Sequence, residues 1–372
     1  MKVAVYAIAL NEAQFARRFM EGCRDADLVL VADTGSTDAT RKILRAEGAL
    51  VRSIKIKPWR FDAARNAALA LLPADVDVCV SLDLDQTPAP GWRTALESAW
   101  RDGVNQLYYD LIFRPAGEGA EHAFRDNRIH ARRGFRWRYP CHECLVPEEG
   151  VTRRVAIVAD PRIIHAPDDA KPRSGYLPLL ELAVREAPDD PRCAHYLGRE
   201  YYNLGRYAEG ARELERYFTL PAAGGPVERN ASLRYLAHCR EGLGDSEGAL
   251  DLFRRAAAEA PQLRGPQVAL AWALFRRQAW AESLATAERA IAANTAVGDY
   301  GDDTSPGVVP EDIACLAAWS LGRPQDALAY ARAALERAPA SPRIRANLER
   351  IETALKTPGP QAFGVSTTPL KA

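Results

Sequence analysis

Two aspartates separated by one residue, Asp83 and Asp85, are the first candidates for chemistry in this chain. They follow the run from Val76 to Leu82, in which β-branched and other apolar residues alternate as they do in a strand. This alternation places both carboxylates on the same side of the backbone. Close carboxylates repel each other, and a divalent cation or a ribose hydroxyl is a common reason to keep them together. The alternative is that Asp83-Leu84-Asp85 forms a solvated turn without a ligand.

Length and composition limit the classes of protein. The 372 residues suffice for two domains, and 49 basic residues balance 49 acidic ones, so net charge gives no argument for a nucleic-acid or membrane partner. Seven scattered cysteines favour reduced thiols and a cytoplasmic location over a disulfide framework. No apolar stretch approaches the ~20 residues that span a bilayer. We interpret residues 1–12 as a first strand and not as a signal peptide.

Strands and helices alternate through the first half of the chain. The predicted strands cover residues 3–10, 27–31, 50–56 and 76–82, and the helices between them end near residues 25, 46 and 71. This order predicts a mostly parallel sheet, which binds ligands at the carboxyl ends of strands near the switch in strand order. Polar clusters fall at three such ends, namely Asn11-Glu12, Asp33 to Asp38, and Asp83 with Asp85. Asn11 alone could be a helix cap and Asp33 a turn residue, but together these clusters outline one pocket.

The ordered motifs resemble those of family 2 glycosyltransferases. In chain order they are Ile8-Ala9-Leu10-Asn11-Glu12, Asp33-Thr34-Gly35-Ser36-Thr37-Asp38-Ala39-Thr40, Phe61-Asp62-Ala63-Ala64-Arg65-Asn66 and Leu82-Asp83-Leu84-Asp85. The resemblance covers residues 1–168. It implies a GT-A fold, which is a Rossmann-like α/β domain with a mostly parallel sheet. It also implies transfer of a sugar from a nucleotide-sugar donor, with UDP-sugars as the expected donors and inversion of the anomeric centre as the usual outcome.

The resemblance further implies roles for individual residues. Asp33 and Arg65 would contact the nucleobase, Asp83 the ribose or the diphosphate, and Asp85 a Mg or Mn ion on that diphosphate. The residues expected to bind the nucleotide-sugar are Leu10, Asn11, Glu12, Asp33, Ser36, Asp38, Asp62, Arg65, Asn66, Asp83 and His142. Gln86 departs from the family, whose members commonly carry Glu there. A divalent cation would meet the charge that develops on the leaving group, and inversion needs one carboxylate to take the acceptor's proton.

A candidate for that proton acceptor lies in Cys141-His142-Glu143-Cys144. The segment looks like the His-Glu of bacterial family members, which implies Glu143 as the catalytic base and His142 in the acceptor or diphosphate site. Structural zinc is disfavoured, because the sequence has no second cysteine pair with metal-ligand spacing.

His165 ends a strand predicted over 155–164. Many GT-A enzymes close their metal site with a late histidine, so His165 is the second predicted metal ligand; a hydrogen-bonded edge histidine is the alternative.

A basic and aromatic segment, residues 125–139, follows a strand predicted over 106–114. It contains six arginines and one acidic residue, and we predict a hairpin that turns near Arg133-Gly134. Its arginines could form a solvated strand face, a clamp on the donor phosphates, or a landing site for an anionic acceptor. Its alternating rings could stack on sugars or bases.

Beyond residues 167–172 the sequence shows helical patterns that repeat along the chain, so we predict an all-α domain over 169–356. A 34-residue period from Asn230 and again from Arg264 matches tetratricopeptide repeats, with an earlier repeat from Pro191 and a later one from Val308. Residues 222–226 and 297–307 lengthen two junctions, 342–355 would form a capping helix, and 357–372 a flexible tail. Such a domain could hold part of the acceptor, form a homodimer, or only stabilise the protein.

Three function classes compete at this point. The leading one is a metal-dependent inverting glycosyltransferase whose acceptor, a polypeptide, a glycan or modified DNA, is held partly by the repeats. The second is a non-catalytic scaffold with a vestigial sugar site, and the intact Arg65, Asp83, Asp85 and Glu143 argue against it. A nucleotidyltransferase would need a glycine-rich loop with a basic residue after strand one, where the chain has Leu10-Asn11-Glu12-Ala13.

Overall fold

A computed structural model describes residues 1–114, 122–167, 175–221, 223–293 and 308–356. The chain divides into two compact units, the first extending through Glu186 and the second beginning at Ala187. The predicted tail at 357–372 and the predicted insertion at 297–307 lie outside the described residues. None of the described helices is long and apolar enough to cross a membrane.

The first unit is an α/β domain built on an eight-stranded mixed sheet, which confirms the predicted fold class. Its sheet has the strand order β3-β2-β1-β4-β7-β6-β10-β5. The strands are β1 (Val3–Ala9), β2 (Leu28–Asp33), β3 (Leu50–Ser53), β4 (Val78–Ser81), β5 (Gln86–Pro88), β6 (Gln106–Phe113), β7 (His122–Ala131) and β10 (Val155–His165), and a separate pair consists of β8 (Phe135–Arg138) and β9 (Cys144–Pro147). The helices are α1 (Ala13–Gly22), α2 (Thr40–Ala46), α3 (Phe61–Ala70), α4 (Trp92–Ala99) and α5 (Tyr176–Glu186).

Strands β3, β2, β1 and β4 run parallel, whereas β7 is antiparallel to both of its neighbours, β4 and β6. The strand β1 lies at the switch in strand order, between β2 and β4. Its near-continuous apolar run suits a strand that is covered on both faces. One face packs with Phe15, Phe19 and Leu96, and the other with Ala68 and Trp137.

The predicted hairpin over residues 125–139 is wrong. Arg133 and Gly134 do lie in a turn, but β7 pairs with β4 and β6 in the large sheet, while β8 pairs with β9 in the small one. Local alternation cannot distinguish these pairings, because a strand can find its partner far along the chain. As a result, Arg128 on β7 lies beside β4 instead of on an isolated hairpin.

The second unit contains antiparallel helix pairs, which confirms the predicted helical repeats. Its helices are α6 (Pro191–Asn203), α7 (Tyr207–Thr219), α8 (Pro226–Gly242), α9 (Ser246–Glu259), α10 (Arg264–Arg276), α11 (Trp280–Ala292), α12 (Val309–Ser320), α13 (Pro324–Arg337) and α14 (Pro342–Lys356). Glycines at positive φ, namely Gly205, Gly244 and Gly322, follow the first helix of three pairs and allow the chain to reverse there.

Two glycines permit close packing of α6 on α7. A Cβ atom on Gly198 would lie 2.6 Å from Cγ of Leu214, and one on Gly210 would lie 2.8 Å from Sγ of Cys239 and 3.2 Å from the Gly198 carbonyl oxygen. Helix interiors normally favour alanine over glycine. Glycine at these two positions is therefore explained by the lack of space for a Cβ atom and not by helix propensity.

We therefore expect Gly210→Ala to destabilise the second unit. The added methyl group must push against the Gly198 carbonyl, and overpacking of this kind costs about 1–3 kcal/mol, against a gain of ~1 kcal/mol in helix propensity. Urea unfolding followed by circular dichroism measures the difference. The exposed Arg212→Ala on the same helix is the control, with an expected change within about 0.5 kcal/mol. A Gly210→Ala variant more stable than the unsubstituted protein would contradict the packing argument.

Candidate functional site

The loops that follow β1 and β2 are joined by hydrogen bonds at one edge of the sheet. The side-chain oxygen of Asn11, a residue at φ 55°, accepts from the Thr37 amide at 2.8 Å, and the Asn11 amide donates to Oγ of Ser36 at 2.9 Å. The Glu12 amide donates to Oγ1 of Thr40 at 2.7 Å. These bonds bring together the two motifs that the sequence places 25 residues apart.

Asp33 ends β2 and is fully buried. Its Oδ1 accepts from the amides of Gly35 and Ser36, both at 3.1 Å, and lies 3.8 Å from Nε of Arg41. Asp38 closes the same loop, because its carboxylate accepts from the amides of Ala13 and Thr40. The Asp33 carboxylate thus shapes the turn after β2, and the loop itself forms a rigid border of the site. Leu10 beside it is 49% exposed.

Arg65 connects the other half of the site. This residue lies on α3, is 4% exposed, and donates from Nη2 to Oδ1 of Asp83 at 2.7 Å and from Nε to Oε1 of Glu143 at 2.5 Å. Its guanidinium carbon lies 5.0 Å from the centre of the Trp137 ring. A buried guanidinium requires paired charges, so Arg65 fixes both carboxylates at once. The predicted base and the first aspartate after β4 are therefore neighbours in space.

Asp83 is held by a second arginine. Its Oδ2 accepts from Nη1 of Arg128 at 3.0 Å, and Arg128 also pairs with Asp126 at 3.1 Å. Burial alone would raise the pKa of the Asp83 carboxyl, but Arg65 and Arg128 outweigh burial and hold that pKa well below its usual range. Asp83 is thus ionised throughout the pH range in which proteins are normally folded.

Asp85 and His165 come together where β10 pairs with β5. Nε2 of His165 lies 3.3 Å from Oδ2 of Asp85, and Oδ1 of Asp85 is buried without a hydrogen-bond partner among the described residues. A buried carboxylate oxygen without a partner is costly, and a hard cation would satisfy it. Mg²⁺ commonly binds one or two carboxylates together with substrate phosphates, so these residues fit such an ion. Within the described ranges no three His, Cys, Asp or Glu side chains are grouped as a metal site.

Three other predicted site residues have partners in the fold. Asp62 accepts from Arg60 at 2.7 Å, and Asn66 exchanges two hydrogen bonds of 2.9 Å with the backbone of Trp137. The ring of His142, at φ 49°, contacts the ring of Tyr176 with 5.8 Å between centres. Asn66 thereby holds β8 against α3, and Trp137 is fixed beneath Arg65.

The two halves of the site share one edge of the sheet. Ala9 is in register with Asp33, and Tyr6 with Ser81, so the carboxyl ends of β2, β1 and β4 are adjacent. Two spacings of about 4.8 Å separate β2 from β4 across the sheet, and Asp33 lies three residues further along the strands than Ser81. Together these offsets place Asp33 about 14 Å from the end of β4. The polar clusters predicted from strand ends therefore lie along a single edge.

The sequence interpretation missed the specific role of Arg128. It left the arginines of residues 125–139 as alternatives, whereas only the pairing of β7 with β4 brings Arg128 to Asp83. Other arginines of this segment have different surroundings: Arg132 donates to the carbonyls of Leu72 and Pro73, and Arg138 lies over the Tyr139 ring. No local signal could have singled out Arg128, since its partner is 45 residues away.

Comparison with known proteins bears on these residues. Residues 5–156 match the family model described as Glycosyl transferase family 2. No curated protein sequence matches the chain. One similar solved structure is glucosyl-3-phosphoglycerate synthase from Mycobacterium tuberculosis in complex with Mn²⁺, uridine diphosphate and glucosyl-3-phosphoglycerate, with 25% identity, 30% of this chain and 44% of that chain covered, and a TM-score of 0.26.

Further similar structures concern the helical repeats. A thermophilic tetratricopeptide repeat protein of Thermus thermophilus, TTC0263, is 20% identical, with 49% of this chain and 89% of that chain covered and a TM-score of 0.35. Yeast Tom70 is 15% identical, with 50% and 37% covered and a TM-score of 0.39. The match over residues 5–156 covers Arg65, Asp83 and Glu143, and it identifies this part of the chain as a family 2 glycosyltransferase domain.

Proposed function

We propose that the protein is a metal-dependent inverting glycosyltransferase that moves a sugar from a nucleotide-sugar donor, expected to be a UDP-sugar, to an acceptor. The observation that carries the proposal is the buried Oδ1 of Asp85, which has no hydrogen-bond partner in the part of the chain that the structure describes. Asp85 lies two residues after Asp83, just beyond the end of β4. Such a carboxylate oxygen, in a chain whose residues 5–156 match the family 2 model, could bind the divalent cation that accompanies a nucleotide-sugar donor. Binding of part of the acceptor by the helical unit stays a prediction.

The donor would lie along the edge formed by β2, β1 and β4. The Asp33 loop would border the nucleobase, and Asp83 would face the ribose or the diphosphate. Arg128 is held by Asp83 and Asp126, and it would orient the Asp83 carboxylate toward the donor.

Asp85 and His165 would hold the divalent cation, Mg or Mn. When bound, the ion would neutralise the charge that develops on the diphosphate leaving group. The residues around Asp85 keep its carboxylate in place: the Asp85 carbonyl accepts from the Ala166 amide at 3.1 Å and from Nη2 of Arg18 at 3.3 Å. The backbone at the metal position is therefore tied to the end of β10.

Glu143 would take the proton of the acceptor. Its Oε1 accepts from Nε of Arg65, and this bond fixes the orientation of the carboxylate. The oxygen Oε2 would receive the proton. Since Arg65 also holds Asp83, the proton acceptor and the donor site keep a constant separation.

We expect Asp85→Ala to lower Mn²⁺-dependent hydrolysis of UDP-sugars at least ~100-fold, because the cation would lose its carboxylate ligand. The measurement is UDP release from a panel of UDP-sugars with and without Mn²⁺. Asp75→Ala is the matched control: this aspartate is exposed, pairs with Lys2 at 2.7 Å, and should leave the rate unchanged. Equal Mn²⁺-dependent rates in Asp85→Ala and the unsubstituted protein would remove Asp85 from the metal role.

Glu143→Gln should slow transfer by about 10²–10⁴-fold while leaving UDP affinity unchanged. The amide oxygen can still accept from Arg65, so the neighbouring contacts persist, but glutamine cannot take a proton. UDP affinity by calorimetry and UDP release with panels of glycans, peptides and DNA provide the two readouts. The exposed Glu148→Gln serves as control. Transfer at the unsubstituted rate in Glu143→Gln would mean that another group accepts the proton.

A further inference from the structure

Four partly buried aromatic rings form a row that ends next to Glu143. The rings of Trp59 and Phe61 are 5.3 Å apart, those of Phe61 and Tyr176 6.2 Å, and those of Tyr176 and His142 5.8 Å, all in edge-to-face contact. We call this row the aromatic shelf. His142 immediately precedes Glu143 in the chain, so the shelf adjoins the proposed proton acceptor.

The shelf is assembled from three separate segments, and specific bonds hold them together. The Phe61 amide donates to the Pro140 carbonyl at 2.9 Å, which joins the start of α3 to the loop that carries His142. Arg60 pairs with Asp62 at 2.7 Å and with Glu186 at 2.8 Å, which ties α5 to the same place. These contacts fix the positions of the rings, and each of the four residues is partly exposed within the described part of the chain.

Two arginines beside the shelf are each paired with two carboxylates. Arg60 lies between Asp62 and Glu186, and Arg65 lies between Asp83 and Glu143. Neither of these two guanidinium groups offers a phosphate group an uncompensated positive charge, so neither favours a polyanionic occupant. Glu186 is 43% exposed at its side chain, and its carboxylate oxygens can accept hydrogen bonds from hydroxyl groups. Partly exposed rings flanked by carboxylates thus suit a neutral, polyhydroxylated molecule.

We propose that the aromatic shelf binds a sugar ring of a neutral glycan acceptor beside Glu143. The apolar C–H face of a sugar ring packs on aromatic side chains, and its hydroxyl groups donate to carboxylates. The inference rests on the proposed transferase function. Among polypeptide, glycan and modified DNA, it selects the glycan as acceptor.

Saturation-transfer NMR with the full-length chain, UDP and Mn²⁺ tests the shelf directly. The probes are cellobiose, maltose and chitobiose. We expect at least one of them to receive saturation on its ring protons, and we expect Tyr176→Ala to weaken its affinity by about tenfold. Tyr176→Phe, which keeps the ring, should restore the affinity. Tyr108→Ala removes a partly exposed ring on β6 and should have no effect.

Contrary outcomes are separable. The shelf is overturned if none of the three sugars receives saturation at about 10 mM, or if Tyr176→Ala and Tyr108→Ala bind equally well. It is also overturned if Tyr176→Ala weakens binding of a dodecathymidylate oligonucleotide and leaves sugar binding unchanged, since the rings would then stack on nucleobases. UDP affinity and the thermal melting curve are recorded for every variant. Failure of the unsubstituted protein to bind UDP would count against the transferase function, while sugar binding without UDP would still decide the shelf.

Discussion

The buried guanidinium of Arg65 is the constraint on which the rest of the site depends. It contacts Asp83 after β4 and Glu143 in the loop between β8 and β9, two residues that are 60 positions apart in the sequence. A buried charge left without any partner costs about 3–5 kcal/mol. The two carboxylates therefore stabilise the buried Arg65, and Arg65 in turn fixes where they lie. Asp83 and Glu143 are in this way fixed by one side chain.

Beneath Arg65, a chain of buried polar groups sets the position of the Trp137 ring. Nε1 of Trp137 donates to the Tyr6 hydroxyl at 2.7 Å, and that hydroxyl lies 3.0 Å from Nε2 of His130. Burial lowers the pKa of His130 to about 4, so the imidazole is neutral at neutral pH and adds no charge under the two arginines. The strands β1, β7 and β8 thus contribute one group each to a support that holds the aromatic face under Arg65.

The sequence predicted those features that local patterns determine. Apolar runs defined β1, β2 and β4, and their ends located Asn11, Asp33 and Asp83, because side chains after parallel strands meet at one edge. The pairing of strands that are distant in the sequence could not be predicted from local patterns. The strand β7 pairs with β4 and β6 and does not form the expected hairpin, and this pairing brings Arg128 to Asp83. The ring of Tyr176 was likewise missed, since it lies on α5, after the segment where the composition changes.

We propose that Asp85 and His165 bind the cation of a nucleotide-sugar whose base lies at the Asp33 loop. Anomalous diffraction from crystals grown with Mn²⁺ and UDP tests this, because the anomalous signal distinguishes manganese from the lighter atoms of the protein. We expect one strong manganese peak within coordination distance of Oδ1 of Asp85 and Nε2 of His165, with the uracil ring against the turn after β2. A bound UDP whose manganese peak lies away from Asp85, or a uracil ring remote from that turn, would contradict it.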